Sequence, residues 1–129
     1  MSVTWNTGSA ALSESQEQTR LMDWTKQPSV RGQYPDLKYL FHIPNERPDK
    51  IQAALLKRMG VKPGVPDLFL PVPRGKYHGL FIELKKAGGR VSADQGWWLD
   101  HLDRNSYACR VCWGWCEAAE VLQWYLKLE

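Results

Sequence analysis

Several features that would settle a protein's class at once are missing from this chain. No stretch approaches the roughly 18 apolar residues of a membrane span, so a membrane-spanning role is not expected. The first twelve residues carry neither a basic segment nor an apolar core of the signal-peptide kind. The expectation is therefore a protein that works in the cytosol of the cell that makes or hosts it. A strong charge of one sign is also missing: a net charge of +3 does not by itself argue for nucleic acid. No repeats or low-complexity segments appear. Cysteine is scarce, and Cys109, Cys112 and Cys116 are spaced C-x2-C-x3-C, which invites a metal. That spacing falls on a predicted strand, where residues three apart face opposite sides, and a fourth ligand is not suitably placed. The three read as buried free thiols of a reducing compartment.

What remains is an ordinary globular composition, 43% hydrophobic and 24% charged over 129 residues, enough for one domain with its own core. Residues 1–12 read as a flexible lead-in to a domain over 13–129. Ser13 and Gln16 form a capping box that opens a helix to about Lys26, with Glu17, Leu21 and Trp24 on one face. Pro28 ends it, and a loop leads to a strand over Lys38–Ile43. A second helix is predicted from about Pro48 to Met59, with Ile51, Ala54, Leu55 and Met59 on one face. Strands follow at Asp67–Val72 and Gly79–Lys85. A second capping box, Ser92 with Gln95, starts a helix through about Arg104. A strand near 107–113 and a helix over about 115–128 close the chain. This is a mixed α/β domain built on one sheet.

Within that frame, Gly64-Val65-Pro66-Asp67 puts an acid at the head of one strand. With fifteen residues between, Glu83-Leu84-Lys85 ends the next. Glu83 and Lys85 share one strand face, about 6.6 Å apart along the chain. If the two strands pair as a hairpin, Asp67 lies beside Glu83. Two carboxylates in one small volume are costly unless a cation sits between them, and oxygen ligands in an open site suit Mg²⁺ or Mn²⁺. Asp67, Glu83 and the Leu84 backbone carbonyl are the candidate ligands. Glu17, on the apolar side of the first helix, is a candidate for a further one, directly or through water. Such a site can hydrolyse a phosphodiester, with Lys85 orienting water or stabilising charge on the phosphate. An isolated E-x-K is as readily a surface salt bridge, and Gln95 as readily only a cap. The basic residues Arg47, Lys50, Lys62, Arg74, Lys76, Lys86 and Arg90 flank these segments. They serve either as solvated surface or as DNA contacts.

Pro66-Asp67 with Glu83-Leu84-Lys85 resembles the PD-(D/E)xK nuclease signature. The wider set resembles its VRR-NUC branch: Glu17, His42-Ile43-Pro44-Asn45, Gly64 to Asp67, Phe81 to Lys85, then Ser92, Gln95, Trp98, Leu99 and Leu102. The likeness runs from about Ser13 to Tyr125. It implies a restriction-endonuclease-like core, a central mixed sheet flanked by helices. It also implies Mg²⁺- or Mn²⁺-dependent DNA cleavage, with catalytic roles at Glu17, Asp67, Glu83, Lys85 and Gln95. Standalone members of this kind, often viral, are homodimers that cut four-way DNA junctions, and the same is expected here. The competing readings are a sequence-specific restriction-type endonuclease and a nuclease-like DNA-binding module without activity.

Overall fold

The computed structural model describes residues 11–44 and 49–129. Helix α1 spans Glu14–Lys26 and opens on the complete Ser13–Gln16 capping box. Gln27 leaves the helical conformation and Pro28, at a first-turn position where its missing N–H costs nothing, starts the short helix α2, Pro28–Gln33. A 3-10 turn over Pro35–Tyr39 follows. The six-residue strand expected over 38–43 is thus cut to β1, Phe41–His42. Prolines at 28 and 35 set φ for helical turns in a segment whose composition reads equally well as loop.

Helix α3 covers Lys50–Arg58 and is capped by Asp49, whose carboxylate accepts from Gln52 N. Pro48, the residue expected to start it, lies outside the described residues, as do Asn45 and Arg47. Ile51, Leu55 and Met59 line up as predicted but are exposed rather than packed. The hairpin strands are β2, Leu68–Leu70, and β3, Leu80–Lys85. Helix α4, Ala93–Arg104, crosses to β4, Ala108–Trp113, and α5, Trp115–Leu126, ends the fold.

The sheet is four-stranded in the order β1-β2-β3-β4. The first two pairings are antiparallel, with Leu68 opposite Ile82, and β3 runs parallel to β4, with Lys85 opposite Trp113. Alternation then sorts the side chains. Leu68, Leu70, Leu80, Ile82, Leu84, Ala108 and Cys112 face the main core, where α1 and α5 bring Leu21, Ala118, Leu122 and Tyr125. Tyr125 closes one end by donating its hydroxyl hydrogen to Val72 O at 2.6 Å. Asp67, Phe69, Phe81, Glu83 and Lys85 fall on the other face. Cys109 and Cys112 do diverge as expected, and Cys112 is buried. Cys116 is a correction: it is exposed, because it lies on the outer side of α5 rather than in the buried stripe.

The turn that delivers Asp67 is wedged against the start of α4. Gly64 has φ of +84°, and a Cβ there would lie 2.5 Å from the carbonyl carbon of Asp94. Trp98 fixes the same turn by donating its indole N–H to Pro63 O at 3.1 Å. Gly64→Ala is therefore expected to cost about 2 kcal/mol or more, from the left-handed backbone and the clash together. A chemical-denaturation midpoint equal to the wild type would show that this wedge does not hold the turn.

Candidate metal centre and active site

At the C-terminal end of β3 three carboxylates converge. One ligand-capable oxygen each from Glu14, Asp67 and Glu83 lies within 4.8 Å of the others. They grade from solvent inward: Glu14 is exposed, Asp67 half-buried and Glu83 only 1% exposed. Glu14 comes from the first turn of α1, a position that favours a negative side chain.

Each carboxylate is held differently. Asp67 Oδ2 accepts the Leu84 backbone N–H at 2.8 Å, while its main-chain oxygen accepts from Ile43 N at 2.7 Å. His42 Nδ1 lies 3.0 Å from the same oxygen. Glu83 Oε2 accepts from Gln95 Nε2 at 3.0 Å and lies 3.5 Å from Lys85 Nζ. Glu83 Oε1 has no partner at all, the one such buried side-chain oxygen or nitrogen among the described residues. An orphaned buried carboxylate oxygen is expensive. One aimed into a group of acids fits a cation that would complete it.

Backbone direction orients the Leu84 carbonyl, the main-chain oxygen expected as a ligand. The Lys85 carbonyl accepts from Gly114 N and so points toward β4. Successive carbonyls alternate along a strand, so the Leu84 carbonyl points toward β2, the side on which its own N–H meets Asp67. Hard oxygen donors of this kind suit Mg²⁺ or Mn²⁺ rather than a thiolate-seeking metal. The three cysteines are separate from the acids, and burial pushes the thiols of Cys109 and Cys112 up, to about 11 and about 12.

The first helix brings a different carboxylate to the cluster from the one expected from sequence. Glu14 joins Asp67 and Glu83, whereas Glu17, expected in this role, turns to the start of α5. There its Oε1 accepts from Trp115 N at 3.1 Å, and its Oε2 would lie 3.4 Å from a Cβ at Gly114. Glu14, Glu17, Leu21 and Trp24 form one continuous stripe at helical spacing. Extending that stripe back by one turn was the signal that could have found Glu14. Gln95 is the N3 residue of the α4 capping box, as expected, and its side-chain amide donates to Glu83.

The flanking cations separate by position. Lys62, Lys86 and Arg90 are exposed on segments next to Asp67 and Lys85. Arg74 and Lys76 lie in the turn at the opposite end of β3. There Arg74 pairs with Asp36 at 2.6 Å, and Lys76 lies over the Tyr77 ring. Lys50 sits on α3.

A mixed sheet whose central strand ends in a buried acid and a buried lysine, joined by an acid from the neighbouring strand, defines a PD-(D/E)xK-type nuclease core. The particular branch follows from comparison. The VRR-NUC domain family model matches residues 12–115, and the chain belongs to that family. Among solved structures, a VRR_NUC domain protein is 37% identical, covers 93% of each chain and aligns with a TM-score of 0.79. Comparison with curated proteins gives no match. The chain thus carries a nuclease domain, a hydrolase of nucleic acid, and its acidic cluster is a candidate metal centre.

Desolvation, with the neighbouring Asp67 charge, raises Glu83 from 4.5 to about 8, against the opposing pull of Lys85. Between those values the folded chain keeps a proton that the unfolded chain gives up, so metal-free stability falls as pH rises and the full penalty applies above about 8. In chelator, Glu83→Gln is expected to melt near the wild-type temperature at about pH 4 and several degrees above it at about pH 9. Equal melting temperatures at the higher pH would remove the buried negative charge from the account.

Proposed function

We propose that the protein is a Mg²⁺- or Mn²⁺-dependent endodeoxyribonuclease that cuts branched DNA, four-way junctions foremost, as a homodimer. The observation that carries the metal-dependent chemistry is the unpartnered Glu83 Oε1 within a convergent trio of acids, with Lys85 at its side. Preference for branched DNA rests on the resemblance to standalone VRR-NUC proteins. A two-fold dimer suits it, since two sites related by symmetry can address opposing strands of a symmetric junction.

In this reading Glu14, Asp67, Glu83 and the Leu84 carbonyl hold the cation. When bound, the metal supplies a Lewis acid that polarises a phosphoryl oxygen and lowers the pKa of water. The chain's own groups do the rest. Gln95 fixes the rotamer of Glu83 by donating to Oε2. The Lys85 ammonium, buried to 6% exposure, presents a positive charge that orients the attacking water or stabilises charge on the phosphate. Lys62, Lys86 and Arg90, exposed beside this cluster, would take the DNA backbone.

The test uses labelled four-way junction, flap, plain duplex and single strand with Mg²⁺ or Mn²⁺, beside an Asp67→Asn control. Asparagine keeps an acceptor for the Leu84 N–H, so loss of activity there reports on the carboxylate rather than on the strand. Junction cutting that disappears in the control is the expected result. Cutting of plain duplex at one defined sequence would favour a restriction-type enzyme instead. Binding without product from any substrate would sink the enzymatic reading.

The two first-helix acids give a sharper comparison. Glu14→Gln is expected to lower kcat by about a hundred-fold or more, while Glu17→Gln, which keeps an acceptor for Trp115, costs about ten-fold or less. The reverse order would return Glu17 to the metal. Lys85→Ala is expected to abolish cleavage with DNA binding retained, measured by fluorescence anisotropy in chelator.

A further inference from the structure

Lys85 is long, flexible and almost fully enclosed, and a side chain of this kind acts as a fixed charge only if something restrains its stem. Its ammonium is tethered at one point, 3.5 Å from Glu83 Oε2. Its carbonyl is tethered at another, by Gly114 N at 2.9 Å. Neither contact fixes the four carbons between.

The turn that follows the strand does. Gly89 N closes back on Lys86 O at 2.9 Å, with Gly88 at φ of +79°. This brings Gly89 alongside the lysine stem, where a Cβ would meet Lys85 Cβ and Cδ at an ordinary contact distance of 3.4 Å and Lys86 O at 3.1 Å. A glycine turn on the protein surface has little of its own to hold it in place. Here it is held from the next strand. Trp113, opposite Lys85 in the parallel register and therefore on the same sheet face, donates its indole N–H to Gly89 O at 2.8 Å. The Trp113 main chain is in turn fixed by donation to the Glu117 carboxylate. The indole is 45% exposed, so its N–H could reach water freely; it is committed to the turn instead.

We propose that Trp113 is a positioning residue for the reaction: through Gly89 it clamps the stem of Lys85 and so aims the ammonium. The proposal rests on the reading of Lys85 as a group that acts in cleavage. Trp113→Phe keeps an aromatic ring and removes the N–H. Gly89→Ala keeps the indole N–H and crowds the turn itself, since its methyl would lie 3.1 Å from Lys86 O, which guards against a defect peculiar to either variant.

Two readouts apply to each variant. The first needs neither metal nor DNA: acetylation by an amine-reactive ester, followed by mass spectrometry. In Trp113→Phe, Lys85 is expected to label about three-fold faster or more, with Lys76 and Lys127 unchanged. The second is cleavage kinetics: kcat is expected to fall about ten-fold in both variants, with KM for DNA within about two-fold of the wild type. Lys85 labelling at the wild-type rate in Trp113→Phe would overturn the clamp. So would faster labelling with an unchanged kcat, or a rise in KM alone, which would make Trp113 a DNA contact. If the wild-type protein cuts no DNA, the nuclease reading fails separately. The labelling still decides whether Trp113 restrains Lys85.

Discussion

Three strands are tied at Asp67. The backbone ladder between β2 and β3 ends at Leu68, and one residue beyond it the Asp67 side chain takes over, accepting the Leu84 N–H that the ladder no longer reaches. Its main-chain oxygen meanwhile accepts from Ile43 at the end of β1. A buried strand N–H must be paired by something, and here it is paired by a carboxylate that also belongs to the acidic cluster. The placement of Glu83 and Lys85 beside Asp67 therefore follows from satisfying the backbone, before any ligand is considered. The same bond commits one oxygen of Asp67 and leaves the other for chemistry.

Much of this arrangement was legible in the residues. The spacing of Asp67, Glu83 and Lys85 gave the hairpin and the shared face because a strand alternates strictly. Both capping boxes gave true helix starts, since each is a local pair of reciprocal hydrogen bonds. The misses were non-local or conformational. Glu17 and Glu14 lie on the same helical stripe. Only the position of α5, ninety-eight residues on in the hydrogen bond to Trp115, decides which carboxylate meets the sheet. The segment 28–39 became helical turns because prolines can open turns as well as break helices. The stripe on α3 has the right period for burial, yet period alone does not supply a surface to pack against.

The electrostatics of the domain are asymmetric along β3. At the end where the chain leaves the strand, Glu83 and Lys85 are buried and Lys62, Lys86 and Arg90 are exposed around them. At the other end Arg74 is already neutralised by Asp36. A net charge of +3 conceals this. Where the chain leaves β3, an approaching polyanion meets exposed cations beside acids that a divalent ion would fill, so the local field there depends on that occupancy as well as on the total charge.

Gln95 joins two things that are usually separate. Its backbone N–H and its side-chain oxygen complete the cap with Ser92, while its amide nitrogen reaches Glu83. The first turn of α4 and the orientation of the buried carboxylate are consequently coupled. Fraying of that turn, ordinarily a harmless excursion at a helix end, would here withdraw one of the two groups, Gln95 and Lys85, that hold Glu83 Oε2. The stability of a single helical turn thus bears on how firmly that carboxylate is held, and a stronger cap would firm it from outside the acidic cluster.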